Sequence, residues 1–564
     1  MKRTVLSALA ALTFLWSAFL PLPAFASPGV TEAVREELRR RIEMAESPPS
    51  ILVEKEAILA SEALPGFYQK RIYAPAWTGE DGTLPLVESL ARALDGATSH
   101  GLSPEDYHAS HIRRLLASIR ETREKNEQAD PGVLADLDLL CTDGFLVFAA
   151  HMVSGKVSPE SIEVSWLAAR READLEAVLT KALGNGEVEA ALENLAPPYP
   201  CYQGLRTAYE SLLPEMGKPV LPKVTGVSML RPGSRGPAVG RLQVRLAALG
   251  YLPENQPEDA PFFGPRTEEA VRRFQEDHRL SADGLAGPTT LETINADPAD
   301  RARTIAVNLE RWRWLPHDLG RRYILVNTAD FSLKVVEDGK TVLAMRAIVG
   351  KPYRRTPVFS ARMTYMVLAP YWNVPPKIAI HDKLPLIRKD PAWLSENHMR
   401  VFSGWGAESR EVDPAEVNWK ALPVGRFPYH LRQDPGPGNA LGTMKFMFPN
   451  KYNVYIHDTP AHELFDKAQR AFSSGCIRIQ EPMKLALYLQ RTDPRWNEES
   501  LGKVIEAGVE TTVSLPEPLP VHVLYWTAWV DEAGELVFRP DLYGRDEVLA
   551  QALFTPHPNI QEAP

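Results

Sequence analysis

Cysteine is nearly missing from this chain: three residues in 564, at positions 141, 201 and 476. So sparse a set excludes a small fold stapled by disulfides, which needs cysteine at high density. Cys141 and Cys201 keep two readings, a disulfide in an exported protein or two buried thiols, and under either one Cys476 is the odd free thiol. A dense run of lysine and arginine is missing too, and the formal charge is −9. Phosphate recognition needs a basic patch, so nucleic acid is excluded as a partner. No segment beyond the first 26 residues stays apolar for the ~20 positions that a membrane-spanning helix requires.

What is present suits a multidomain protein with ample core: 44% hydrophobic and 24% charged residues. The chain starts with Lys2 and Arg3, an apolar run from Val5 to Phe19, and the small-residue pattern Ala24-Phe25-Ala26. That is the order of a secretory signal peptide, residues 1–26, cut before Ser27. A retained anchor is the alternative, but the run is short and Pro21 and Pro23 follow it. Cleavage removes two positive charges and moves the formal balance to −11.

The chemistry-bearing stretch is Tyr452-Asn453-Val454-Tyr455-Ile456-His457-Asp458-Thr459, followed by Phe472-Ser473-Ser474-Gly475-Cys476-Ile477-Arg478-Ile479. Val454–Ile456 and Cys476–Ile479 are β-branched and aromatic and predict two short strands, in which Tyr455 and His457 share one face and Cys476 and Arg478 another. Pairing these strands brings a thiol to an imidazole. The thiolate is the nucleophile, and a base in reach together with positive Arg478 favours its formation. Gly475 permits unusual dihedrals, and the backbone N–H groups beside Cys476, with Ser474 in support, offer an oxyanion hole. A lone cysteine and a lone histidine are otherwise ordinary core residues. A zinc site on His457 and His462 fits no common ligand spacing.

His-x-Thr followed by Ser-x-Gly-Cys-x-Arg closely resembles the catalytic motif of the YkuD-type L,D-transpeptidases. That family usually places a histidine just before Gly-Cys. Ser474 stands there in this chain, as in a branch of large periplasmic members. The base is then left to His457. The resemblance implies that Cys476 attacks a peptidoglycan tetrapeptide stem, expels D-alanine as a thioester forms, and passes the acyl group to an amine, with no metal or other cofactor. Arg478 and Tyr455 are implied as substrate-binding, and carbapenem-type inhibitors are expected to acylate Cys476. Two rivals remain: an L,D-carboxypeptidase using the same acyl-enzyme, and a non-catalytic wall-binding protein. The compartment implied is the periplasm.

The expected architecture is multidomain α+β. Residues 27–225 read as a helical scaffold, with helices over Thr31–Met44, Val87–Ala97 and Val133–Met152. Tyr73-Ala74-Pro75-Ala76-Trp77 and Gly155-Lys156-Val157-Ser158-Pro159 resemble the scaffold of the large family members. Tyr107, His108 and His111 read as a solvated helix face. Residues 226–297 hold an internal echo, Gly264-Pro265 and Gly287-Pro288 each opening a helix, and resemble a three-helix peptidoglycan-binding domain that docks glycan and stem peptides. A mainly β catalytic domain is expected over 300–520, with an insertion at about 377–424 that resembles a flap. Trp372, Trp393, Trp405 and Trp419 either stack on substrate or form the insertion's own core. Residues 521–564 predict a terminal hairpin and a frayed tail.

Overall fold

The computed structural model describes residues 29–45, 51–162, 171–217, 219–253, 261–278, 280–406, 408–423 and 427–556. The expected signal peptide lies outside the described residues. Multidomain α+β holds: a helical N-terminal region, a small helical module and a mainly β C-terminal region.

The apolar run at 133–152 forms the helix Pro131–Ser154, opened by Asp130, whose carboxylate accepts from the N–H of Gly132 at 2.7 Å. Leucine, phenylalanine and valine face every direction on it, so it is stable only when surrounded. Val30–Glu43, Leu86–Gly96 and Ala109–Glu124 pack around it. Its fully buried Asp138 accepts from the N–H groups of Ala76 and Trp77, which fixes the Tyr73–Trp77 segment.

One reading is corrected here. Tyr107, His108 and His111 are not solvated; they are 0%, 7% and 5% exposed. His108 lies 2.7 Å from both Glu56 and Asp143, and His111 lies 3.1 Å from both Glu54 and Glu56. Carboxylates from the short hairpin Leu52–Ala57 and from the central helix cover what looks, in sequence, like a polar face.

The helix Pro298–Arg313 starts on a capping box made by Asp297 and Asp300. It packs with the scaffold core rather than with the β-core expected from residue 300. Arg313 and Glu310, both fully buried, pair at 2.6 Å, and Arg313 also donates to the His100 carbonyl. The small module holds Pro237–Ala248, Pro265–Asp277 and Pro288–Asn295, each with proline in its first turn behind a glycine, around Leu242, Leu246, Val271 and Phe274.

Among the described residues nine strands make the main sheet: β1 Arg322–Asn327, β2 Ser332–Glu337, β3 Lys340–Gly350, β4 Phe359–Leu368, β5 Met444–Met447, β6 Ile456–His457, β7 Ala471–Ser473, β8 Ile477–Ile479 and β9 Thr511–Leu524. Their order is β7-β3-β8-β6-β5-β4-β9-β1-β2. Because β3 also pairs with β2, the sheet closes on itself and encloses Ile324, Phe359, Met366, Phe446, Ile456 and Ile477. The predicted turn between β2 and β3 has Asp338 and Gly339 both at positive φ, as a two-residue hairpin requires.

The insertion between β4 and β5 folds on its own four-stranded sheet, formed by 372–373, 399–402, 411–412 and 430–433, so it runs beyond residue 424. Trp372 and Trp419 are buried in its core, Trp393 packs against that core, and exposed Trp405 stacks on His430 at 3.9 Å. Core building thus accounts for three of the four tryptophans. The C-terminal hairpin, 528–530 with 536–538, is present, whereas Val521–Leu524 belongs to β9 of the main sheet. The tail is not frayed throughout: Arg545–Phe554 is a helix buried on Pro298–Arg313 through Leu549, Ala550 and Leu553. Cys141 and Cys201 are both free thiols, the first fully buried, which leaves no disulfide between them.

Candidate active site

β6 and β8 pair in parallel, with Ile456 beside Ile477 and His457 beside Arg478. The isoleucines point into the barrel, so Tyr455, His457, Cys476 and Arg478 point the other way. That face lies under the insertion, whose core Tyr455 touches. The register sets Tyr455 beside Cys476, with His457 one pleat further along. Tyr455 pulls the proton affinity of the Cys476 thiol down, and the thiol itself points to the Asn453 carbonyl oxygen at 3.9 Å. The tyrosine and histidine rings are 5.5 Å apart.

His457 is 4% exposed, and its Nδ1 is 2.6 Å from the Asp458 carbonyl oxygen. A carbonyl only accepts, so in the neutral ring Nδ1 carries the proton and Nε2 is the nitrogen able to take one; the Leu441 backbone is a second partner of the ring. Asp458 in turn is fixed: its carboxylate accepts from Thr443 N–H and hydroxyl, both at 2.8 Å, and from Thr459 N–H at 2.7 Å. The group that orients His457 is therefore the neighbouring peptide, locked by an aspartate, and only the fold reveals it.

Burial, then the charge of Arg478, pulls the His457 imidazole down to about 3. Burial also pushes the Cys476 thiol up, against the pull of Tyr455 and Arg478. Arg478 favours the thiolate, as expected, and burial outweighs it. Thiol and imidazole both rest neutral, and the nucleophile forms only as the proton leaves. Arg478 is pulled down by burial and has its Nε buried with no hydrogen-bond partner among the described residues. Lys383 of the insertion adds positive charge near Arg478 and sits about 5 Å over the rings of Trp372 and Trp393. Two cations, Arg478 and Lys383, thus lie near each other at this face.

Gly475 has φ 121°, a conformation open to glycine and strained for other residues, and this turns the chain from β7 to β8. Its amide donates to Ser473 Oγ at 3.1 Å. Ser473 Oγ also donates to the Cys476 carbonyl at 2.6 Å. Ser474 is exposed and its hydroxyl accepts from Arg354 at 2.8 Å; Arg354 pairs with Asp382 of the insertion at 2.5 Å and 2.7 Å. Ser474 thus ties the turn before Cys476 to the insertion. Arg354 and Asp382 carry no motif signal; Ser473 and Asp458 lie inside the two motif stretches, and only the fold shows what each of them holds. Among the described residues no group of three or more His, Cys, Asp or Glu is arranged to hold a metal ion.

Three family models match the chain: a scaffold domain at residues 62–208, a peptidoglycan-binding domain at 235–294 and an L,D-transpeptidase catalytic domain at 321–504. A provisionally named L,D-transpeptidase of Haemophilus influenzae is 35% identical over 43% of this chain and 48% of its own length. A zinc D-Ala-D-Ala carboxypeptidase of Streptomyces albus G is 45% identical over 12% of this chain and 25% of its own. The chain therefore spans about half of the first curated relative and a quarter of the second. A solved L,D-transpeptidase from Mycobacterium smegmatis is 13% identical over 36% of this chain and 58% of that one, with a TM-score of 0.17, too low to carry weight.

Proposed function

We propose, for a chain whose residues 321–504 belong to the L,D-transpeptidase catalytic domain family and stand beside peptidoglycan-binding and scaffold domains, that it cross-links peptidoglycan stem peptides in the periplasm. The single observation that carries this reading is the shared face of Tyr455, His457, Cys476 and Arg478 under the insertion.

In this reading the Cys476 sulfur attacks the carbonyl of the third residue of a tetrapeptide stem, and its proton passes to Nε2 of His457. The C–N bond to the terminal D-alanine breaks, the imidazolium returns the proton to the leaving amine, and a thioester remains. An amine of a second stem then attacks the thioester, His457 takes its proton, and the thiol is restored. One amide is broken and one formed, so the exchange is balanced without an added energy source. A neutral imidazole with a proton fixed on Nδ1 suits both proton transfers. Tyr455 donates toward the sulfur and, as the charge moves, toward the carbonyl oxygen. The buried Nε of Arg478 and the nearby Lys383 favour a substrate carboxylate in this face, which stem peptides supply.

The test is mass spectrometry of products after the mature protein, and its Cys476→Ala variant, meet purified disaccharide-tetrapeptide. Cysteine-dependent dimers lacking one D-alanine are expected. Cysteine-dependent tripeptide monomer alone would assign hydrolysis, and no turnover by either protein would leave a wall-binding protein. A carbapenem is expected to add its mass to the wild type and not to Cys476→Ala.

A further inference from the structure

The turn that presents Cys476 is held from behind by a segment that follows the matched catalytic domain. The loop from Gly350 to Thr356 touches three successive residues of that turn. Lys351 N–H donates to the Ser473 carbonyl at 3.0 Å, Arg354 donates to Ser474 Oγ, and Thr356 Oγ1 donates to the Gly475 carbonyl at 2.9 Å. Thr356 is fully buried, and its Oγ1 also accepts from Gly350 N–H at 2.9 Å. The two ends of the loop are therefore pinned to each other and to the residue before the nucleophile.

Both ends meet one further atom. The hydroxyl of Tyr543 donates to the Gly350 carbonyl at 2.7 Å and accepts from Thr356 N–H at 3.4 Å. Tyr543 is 2% exposed, and its ring stacks on Tyr525 at 5.4 Å and 18°. The Tyr525 hydroxyl accepts from Tyr543 N–H at 2.9 Å and donates to Asp541 at 2.5 Å. The same carboxylate opens the helix Arg545–Phe554 by accepting from Arg545 N–H at 2.9 Å. Asp546 in that helix pairs with Arg311 of Pro298–Arg313 at 2.7 Å. A continuous path runs from the scaffold-facing helix through Tyr543 to Gly475.

We propose that Tyr543 is a positioning residue for Cys476, acting through Thr356, and that the C-terminal segment 525–554 is thereby a working part of the active site. The inference rests on the transpeptidase reading for its rate measurement and on geometry alone for its second measurement. Without the Tyr543 hydroxyl the buried Gly350 carbonyl and Thr356 N–H lose a shared partner, the loop relaxes, and the Gly475 carbonyl follows. Misplacing a reacting atom by about 1 Å is enough to slow a positioned reaction on the order of a hundredfold.

The experiment uses the full mature chain and the variants Tyr543→Phe, Thr356→Val and Thr356→Ser. The readouts are the single-turnover acylation rate with disaccharide-tetrapeptide at varied concentration, the rate of Cys476 alkylation by iodoacetamide followed by peptide mass spectrometry across pH, and the thermal midpoint. Tyr543→Phe and Thr356→Val are expected to lower the limiting acylation rate ~10- to 100-fold with KM nearly unchanged. Both should also alter the alkylation pH profile, and Thr356→Ser, which keeps the hydroxyl, should restore it. The proposal is overturned if folded Tyr543→Phe acylates and alkylates within twofold of wild type. It is overturned equally if loss of rate simply tracks loss of thermal stability and Thr356→Ser does no better than Thr356→Val. If the wild type never acylates while the alkylation profiles still separate as described, the positioning role stands and the transpeptidase reading falls.

Discussion

Two buried histidines, His108 in the helical region and His457 in the barrel, carry opposite charge states. His108 is 7% exposed and His457 is 4% exposed, so burial alone does not tell them apart. Burial opposes protonation of both, but His108 is bracketed by Glu56 and Asp143 and is held up to about 9. His457 has backbone partners at Asp458 and Leu441 and no carboxylate among them, feels the charges of Arg478 and Lys445, and is held down by burial to about 3. A charged histidine with both nitrogens occupied is a clamp, and a neutral one with a lone pair exposed is a base. What surrounds the ring, and not how deeply it sits, separates the two roles.

The sharpest way to break this contrast is to remove each ring in turn. His457→Gln is expected to lower the acylation rate ~10²- to 10⁴-fold, the usual span for loss of a general base. His108→Gln is expected to leave the rate per folded molecule unchanged while lowering stability. Quenched-flow acylation and urea unfolding on both variants read the two effects separately. Next in size is Asp143→Asn, which removes the fully buried charge beside His108 and replaces with a donor one of the two oxygens that serve His108 and the N–H groups of Leu59 and Ala60. Breaking a buried pair in this way costs about 3–5 kcal/mol, visible as a lower urea midpoint.

The pH dependence sharpens the same comparison. His108 has its proton affinity raised on folding, so its contribution is complete below the ordinary histidine value of 6.5 and is lost as pH rises through about 9. The raised affinity corresponds to about 3 kcal/mol. His457 has its affinity lowered, so its effect is the reverse: no cost above 6.5, and a loss of stability as pH falls toward about 3. Thermal midpoints should therefore fall on both sides, with His108→Gln flattening the alkaline limb and His457→Gln the acid one. A wild-type curve that is flat between pH 6.5 and 9 would show that His108 is not held charged.

How much of this was legible in the sequence follows from the same distinction between local and long-range partners. The Asp338-Gly339 hairpin, the Gly-Pro helix starts and the all-round apolar helix at 131–154 are local signals, and each appears in the fold. Cys476 and His457 stand in a motif, and their strands are present, paired in parallel. What was hidden lies far away in the chain: Asp143 and Glu56 around His108, Asp382 on Arg354, and Tyr543 behind Gly350. His108 and His111 look solvated because the hairpin that covers them is about 50 residues upstream. The helix at 545–554 was missed because its apolar residues gain a partner only when Pro298–Arg313 lies alongside.

The smallest expected effect falls on the tie between the insertion and the catalytic turn. Asp382 is pulled down by its hydrogen bonds to Arg354, yet the two side chains are 36% and 24% exposed. A pair that open to water is screened, and its worth is within about 1 kcal/mol. Asp382→Asn keeps the shape and one acceptor while removing the charge, so the fold and the barrel core are untouched. The expected result is a loss of acylation rate of no more than about fivefold, together with faster proteolytic cutting of the insertion. Raising salt from low to molar concentration should bring the wild type toward the variant and leave the variant where it is, because only the wild type has a charge pair to screen. Equal salt sensitivity of the two proteins would place the tie in the hydrogen bonds of Arg354 to Ser474, which salt hardly reaches.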